Sequence, residues 1–288
     1  AGIDPLVGLY GAFIMGIITA LFGGRPGMIS GATGAMAVVM IHMIQKGNEV
    51  GESLLNPVDN LGLHWLFITL LIVGLIQVLA GVFKLGKFVR LIPHSVMMGF
   101  VNGLAIVIFL SQLGLFQKST INGAQWISGA ELYTMLALIG TTMLIMYYLP
   151  KITTKVPAAL VAIVSVALIT VLGNIDVSTV GSFISDGGGE GLKGSLPVFQ
   201  GQIFELFYTI DGYWDLIIST AVLLAAVGLI ESLMTLNLVD EITQTRGSGN
   251  RECLAQGGAN FLNGLFGTVL ENKFQKEKQL SIANSQLK

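Results

Sequence analysis

The amino-acid sequence predicts an all-α polytopic membrane protein, and its charge content, its hydropathy and the lengths of its apolar runs support that prediction. Only 11% of the 288 residues are Asp, Glu, Lys or Arg, whereas soluble domains carry roughly 25%. Hydrophobic residues make up 53% of the chain, and the mean hydropathy is +0.76. A soluble protein of this size lacks the polar surface to cover so much apolar side chain. The balance excludes disorder, a coiled coil and nucleic-acid binding through a basic face.

Six apolar runs approach the roughly 20 residues that an α-helix needs to cross the hydrocarbon core of a bilayer. They cover residues 6–22, 64–83, 95–116, 132–149, 156–172 and 216–239. Two further, glycine-rich runs, 33–44 and 253–270, bring the expected number of membrane segments to about eight. The run 33–44 is too short for an ordinary spanning helix. We expect it to form a half-helix, which is tolerated where protein or a cavity lines it.

The basic residues of the loops support this arrangement. If the loop that contains Arg25 is cytoplasmic and the sides alternate from there, eight Lys and Arg residues fall inside and three fall outside. The positive-inside rule describes this asymmetry. The sequence therefore predicts a multi-pass protein that contacts membrane lipid, and we expect it in a bacterial inner membrane.

The last residues differ from the rest of the chain. Residues 271–288 are polar and contain several lysines, unlike the apolar sequence before them. We therefore predict a partial transmembrane domain over residues 1–267 and a polar tail over residues 268–288. We expect the chain to be a fragment or a truncated product of a longer protein.

The first candidate for a binding site is the glycine-rich stretch 23–35, which leads into a short apolar helix that begins near Thr33. The start of such a helix has free N–H groups and a partial positive charge. Pointed into a cavity in the membrane, it would attract an anion without a formal positive charge. Ser30 and Thr33 could cap this helix or donate a hydroxyl proton to a ligand. An alternative interpretation is glycine-mediated packing with Thr33 as an ordinary N-cap.

The second candidate is Glu231, the only acid or base that we find deep within a predicted span. A charge at that depth is costly, so a carboxylate there is by default a functional hypothesis. Thr235 follows four residues later, on the same helical face. Together they could hold Na+ or carry a proton. The alternative is a protonated Glu231 that bonds to a neighbouring helix.

We predict no catalytic residue, no metal site and no organic cofactor. A membrane enzyme would need a cluster of His and Asp residues or of metal ligands near the interface, and the sequence contains no such cluster. The single cysteine, Cys253, also excludes a disulfide framework and a cysteine-based metal site. We therefore do not expect the protein to be an enzyme.

Four blocks of sequence resemble the SulP-type family of sulfate permeases and anion transporters, in the family's order. Residues 4–10 (DPLVGLY) resemble the opening of the second span, and residues 21–34 resemble the approach to the third, half-length helix. Residues 227–235 (VGLIESLMT) are similar to the eighth span, and residues 250–267 to the entry of the ninth. The resemblance covers residues 1–267.

This resemblance implies a fragment of a seven-plus-seven inverted-repeat transporter, in which a core domain moves against a gate domain. In that family the anion lies between the starts of the third and tenth helices. By matching positions, the residues implied to bind the anion are Ser30, Thr33, Gly34 and Ala35. Glu231 and Thr235 are implied to hold the coupling ion. The tenth helix, the later gate spans and the C-terminal STAS domain of the family have no counterpart in residues 1–267.

The function that we expect is secondary active transport of a small inorganic anion by alternating access, coupled to H+ or Na+. Sulfate is the first expectation, with bicarbonate or a dicarboxylate as alternatives. The family also suggests a homodimer. The competing interpretation is a truncated membrane fragment that does not transport.

Overall fold

The computed structural model of the chain describes residues 5–31, 34–54, 57–58, 60–87, 94–120, 123–153, 155–175, 177, 198–199, 201 and 207–267. Most of these residues are helical, which confirms the all-α class. The helices of these ranges are α1 Pro5–Phe22, α2 Gly34–Ser53, α3 Leu61–Val82, α4 His94–Leu113, α5 Ala130–Ile152, α6 Ala158–Leu172, α7 Trp214–Thr243 and α8 Gly249–Leu265. Their number agrees with the predicted membrane segments.

Three helices of the described chain, α3, α5 and α7, are long and apolar enough to cross a membrane. Shorter apolar helical stretches cover Val7–Phe22, Val101–Leu110 and Ala158–Leu172. At about 1.5 Å per residue, the 30 residues of α7 extend for about 45 Å, longer than the roughly 30 Å hydrocarbon core. These helices support the predicted membrane localisation.

The chain divides into two compact units, Ala1–Leu104 with Leu192–Lys288, and Ala105–Gly191. In the second unit α5 packs against α6. A hairpin of β1, Gln117–Thr120, and β2, Gly123–Trp126, pairs antiparallel in the same unit. None of the described side chains of α5 is buried, as expected for an apolar helix that faces lipid. The hairpin strands have four residues each, too few to leave a periodic pattern from which the hairpin could be predicted.

The first unit is built around α3, which packs against α2, α7 and α8. Small residues bring α3 and α8 together. A Cβ added to Gly257 would lie 2.6 Å from the backbone nitrogen of Val78 and 2.7 Å from the carbonyl oxygen of Gly74. Neither helix could approach so closely with a larger residue at this crossing. Part of the glycine excess therefore serves helix packing, as in other membrane proteins.

The predicted half-helix over residues 33–44 is too short. In the structure α2 begins at Gly34 and continues to Ser53, a length of 20 residues. The amide oxygen of Asn48 accepts a hydrogen bond from the N–H of Gly62 at 2.9 Å, and Gly47 packs directly against Gly62. The polar second half of α2 is therefore held by the start of α3, which a search for apolar runs cannot detect.

The predicted segment 253–270 also has different bounds. The helix α8 begins at Gly249, and the Ser248 side chain caps it by accepting a hydrogen bond from the Arg251 N–H. It ends at Leu265, and Phe266–Gly267 (β4) then pairs antiparallel with Val198–Phe199 (β3). The predicted polar tail, residues 268–288, lies outside the described residues and stays a prediction.

The ends of α1 and α3 and the start of α8 lie at one end of the first unit. The carbonyl oxygen of Phe22 accepts a hydrogen bond from Nε of Arg251 at 3.2 Å, and Gly86 lies against Gly249. Lys46 lies elsewhere, on the part of α2 that packs against the start of α3. The positive-inside assignment likewise places Arg25 and Arg251 on one side of the membrane and Lys46 on the other.

Candidate functional site

The loop between α1 and α2 is fixed to the start of α8 through Gly24. Its N–H donates to Oε2 of Glu252 at 2.8 Å, and its carbonyl oxygen accepts from the N–H of Ser248 at 2.9 Å. A Cβ on Gly24 would lie 2.1 Å from the Ser248 carbonyl oxygen. Only glycine allows this approach, so the loop depends on glycine for close contact.

Arg25 fixes the same loop to the end of α7. Its guanidinium forms an ion pair with Asp240 and donates to the hydroxyl of Thr243. It also donates to the carbonyl oxygen and the hydroxyl of Thr245, at 3.0 Å and 2.6 Å. The second partner of Asp240 is the N–H of Gly247, at 2.8 Å. Arg25 is therefore buried between partners from the end of α7 and the following loop, although the sequence placed it only in a basic loop.

Glu252 lies beside this loop and is 1% exposed. Its Oε1 accepts from Nε2 of Gln256 at 3.0 Å, and the same Nε2 donates to Oγ of Ser30 at 2.8 Å. Glu231 is the only acid within an apolar run, and the sequence gives Glu252 no such signal because it lies just before the apolar run 253–270. In the structure it is an acid inside a helix.

A polar stripe on α8 could have revealed this carboxylate. Glu252, Gln256, Asn260 and Asn263 follow one another at spacings of four, four and three residues, which places them on one helical face. All four are buried. The Asn260 amide donates to Oε1 of Gln77 on α3 at 2.8 Å, and the Asn263 amide donates to the carbonyl oxygen of Gly11 on α1 at 3.3 Å. The stripe thus joins α8 to two helices and to the loop.

The predicted anion-binding residues lie around the start of α2. Ser30 is half-buried in the loop before α2, and Gly34 is the first residue of this helix. Ala35 is the second helical residue, and nothing is described of its side chain. Thr33 lies outside the described residues.

The register between α2 and α7 brings the start of α2 level with Glu231. Near the start of α2, Met36 lies so close to Gly228 that a Cβ on this glycine would meet the methionine Cε at 2.6 Å. Further along α2, Met43 shares a buried cluster with Ile217, near the start of α7. The two helices are therefore antiparallel. Glu231, one turn beyond Gly228, lies level with the first residues of α2.

Thr235 is bonded to Glu231 through the backbone of the glutamate. The Thr235 hydroxyl donates to the carbonyl oxygen of Glu231 at 2.9 Å and is exposed, whereas Glu231 is half-buried. A threonine often makes this bond to the carbonyl four residues earlier in a helix. The hydroxyl oxygen of Thr235 keeps acceptor capacity for a cation.

The comparisons with known proteins agree with the sequence resemblance. The model of the sulfate permease family matches residues 1–273. The "Putative sulfate transporter YbaR" of Bacillus subtilis is 41% identical over 267 residues, which are 93% of this chain and 48% of that protein. The "Bicarbonate transporter BicA" of Synechocystis is 33% identical over 274 residues, 90% of this chain and 44% of that protein.

The fold also matches a solved structure, the transmembrane domain of a cyanobacterium bicarbonate transporter BicA. The TM-score is 0.68 at 28% sequence identity, and the match covers 93% of this chain and 66% of the solved chain. The curated relatives are named as transporters and not as enzymes. The chain spans about half the length of these relatives.

Proposed function

The chain belongs to the sulfate permease family, and we propose that it forms part of a secondary active transporter that moves an inorganic anion across a membrane by alternating access. A relative that is 41% identical is named as a sulfate transporter, so sulfate is our first choice of substrate. Bicarbonate is the alternative that another relative's name supports, and a dicarboxylate is a third.

We place the anion at the start of α2, on Ser30, Thr33, Gly34 and Ala35. The observation that carries this placement is the antiparallel register between α2 and α7. Met36 meets Gly228, which lies in the middle of the 30-residue α7, so α2 begins inside the unit. The first N–H groups of a helix have no partner within it and carry partial positive charge. An anion there would be bound without a formal positive charge.

We place the coupling ion, H+ or Na+, on Glu231 and Thr235. Glu231 is half-buried and level with the start of α2. A cation at its carboxylate would strengthen the binding of an anion nearby, and the anion would strengthen the binding of the cation by the same factor. This reciprocity is the simplest physical basis for coupled transport.

The larger assembly is a proposal that rests on the family. By resemblance to the family, we propose a seven-plus-seven inverted repeat, a homodimer and a bacterial inner membrane for the whole transporter, of which this chain spans about half the length. The competing proposal is a truncated membrane fragment that binds no second half and does not transport.

Uptake into proteoliposomes tests these proposals. The chain would be reconstituted in two forms, as its 288 residues alone and joined to the remaining half of BicA or of YbaR. We expect the joined form to take up radiolabelled sulfate or bicarbonate and the chain alone to take up neither. Intact BicA and empty liposomes are the controls. If folded joined forms take up neither anion while BicA transports, the transporter proposal is wrong and the truncated fragment is favoured.

A further inference from the structure

A chain of hydrogen bonds connects the buried carboxylate of Glu252 to the hydroxyl of Ser30. Glu252 Oε2 accepts from the backbone N–H of Gly24 at 2.8 Å, and Oε1 accepts from the side-chain amide of Gln256 at 3.0 Å. A backbone N–H can only donate, and a carboxylate accepts on both oxygens. Glu252 therefore presents acceptors to both partners.

The direction of the next bond follows from the amide of Gln256. Its NH2 group has two hydrogens, one directed to Glu252 and the other to Oγ of Ser30, which lies 2.8 Å away. The Ser30 oxygen consequently accepts. A serine hydroxyl also has one proton to donate, and within the described part of the chain Ser30 makes only the bond to Gln256.

The position of Ser30 would allow its hydroxyl proton to be donated to the anion. Ser30 is half-buried and lies four residues before the start of α2, where we place the anion. The charged oxygens of an oxyanion accept hydrogen bonds, so a hydroxyl that is held as a donor favours the anion. A hydroxyl whose proton is turned toward its own protein partner would offer the anion a lone pair instead, which is repulsive.

We propose that Glu252 and Gln256 are positioning residues for the anion, which hold Ser30 with its proton directed to the ligand. The inference rests on the proposed function. Neither residue needs to touch the anion. Glu252 sets the orientation of the Gln256 amide, and that amide sets the orientation of the Ser30 hydroxyl.

An isosteric substitution, Glu252→Gln, tests the direction of these bonds. The new amide can accept from Gly24 through its oxygen, and its NH2 would then donate to Gln256. The Gln256 amide would have to reverse, and its oxygen would accept the Ser30 proton. We expect the KM for the anion to rise about tenfold, comparable to the loss of one hydrogen bond to a charged group. The maximal rate per folded transporter should be nearly unchanged.

A double-mutant cycle separates positioning from a structural role. Ser30→Ala should raise KM by a similar factor, and adding Glu252→Gln to Ser30→Ala should raise it no further, because the two residues act through one hydroxyl. Ser30→Thr keeps the hydroxyl and should retain most of the affinity. Glu241→Gln changes an exposed carboxylate of α7 and should leave KM unaltered. Gln256→Met, which removes the amide, provides a second variant with the same expected cycle.

The outcomes distinguish this inference from the proposed function. The assay uses the joined form and the anion that it transports, and KM does not depend on how much of each variant folds. If the unaltered joined form transports no anion, the proposed function fails and the role of Ser30 toward an anion fails with it. If it transports but Glu252→Gln leaves KM unchanged, or raises it equally in the Ser30→Ala background, the positioning role is wrong and the proposed function stands.

Discussion

Arg25, in the loop after α1, forms a mostly buried ion pair with Asp240, near the end of α7. These residues are 215 positions apart in the sequence. The exposed fractions of their side chains are 5% and 14%. Their pairing places the loop against the connection from α7 to α8, where Gly24 meets Glu252. The loop that contains Ser30 is therefore held by the contacts of Arg25 with Asp240 and of Gly24 with Glu252.

The first prediction concerns this ion pair. Arg25→Met leaves the mostly buried Asp240 carboxylate without its charged partner, at an expected cost of about 3 kcal/mol, the low end for a buried ion pair. Arg25→Lys should recover only part of the loss, because a lysine ammonium cannot reproduce a planar fork with several acceptors. Thermal unfolding in detergent is the measurement.

The exposed pair of Lys46 and Glu49 is the matched control. Its atoms are 3.0 Å apart and its side chains are 44% and 66% exposed, so Lys46→Met should cost at most about 1 kcal/mol. Equal losses of Tm in Arg25→Met and Lys46→Met would contradict a stabilising role for the buried pair.

The second prediction concerns Gly24. Gly24→Ala should detach the loop from α8, because the new methyl would lie 2.1 Å from the Ser248 carbonyl oxygen. We expect faster hydrogen exchange in the loop and a lower Tm. Gly31→Ala is the control in the same loop, since a Cβ there meets no described atom within 4 Å. Similar exchange in both variants would show that the close contact of Gly24 does not hold the loop.

The third prediction compares two adjacent glycines of α8. Gly257→Ala should force α3 and α8 apart, because its Cβ would lie 2.6 Å from the backbone of Val78. Gly258→Ala should be neutral or slightly stabilising, since its Cβ has no described neighbour within 4 Å and alanine favours a helix by about 1 kcal/mol over glycine. The ratio of folded to aggregated protein in size-exclusion chromatography measures the difference. Equal behaviour of the two variants would refute this account of the α3–α8 crossing.

The fourth prediction concerns coupling at Glu231. Glu231→Gln removes a negative charge and a titratable group, so uptake by the joined form should lose its dependence on Na+ or on a proton gradient. Uptake with and without each gradient measures this dependence. Glu241→Gln, an exposed position on the same helix, should keep it. A Glu231→Gln variant with unaltered ion dependence would exclude the coupling role.

The fifth prediction concerns the hydroxyl of Thr33. Thr33→Val removes a hydrogen-bond donor and should weaken the apparent affinity for the anion several-fold, up to about tenfold for one hydrogen bond to a charged group. Thr33→Ser keeps the hydroxyl and should preserve most of the affinity. The concentration dependence of anion uptake gives both values. Unchanged affinity in Thr33→Val would contradict a binding role for the hydroxyl and favour Thr33 as an N-cap.

Parts of the site could be found in the sequence because their signals are local. A carboxylate within an apolar run marks Glu231, and a glycine-rich stretch before an apolar run marks the start of α2. Glu252 has no such signal, since it lies at the edge of a run and its partner Gly24 is 228 residues away. The predicted length of α2 was too short for a similar reason, because contacts with the start of α3 stabilise the polar half of this helix.

Hydropathy and motif spacing predict the membrane class, the approximate positions of the helices and the family, because both are properties of neighbouring residues. Only the packing of the helices shows that Arg25 pairs with Asp240, that Glu252 is buried, and that the start of α2 lies level with Glu231. Polar groups removed from water must find hydrogen-bond partners. Which groups become partners depends on how the helices pack, and this packing brings together residues from distant parts of the chain.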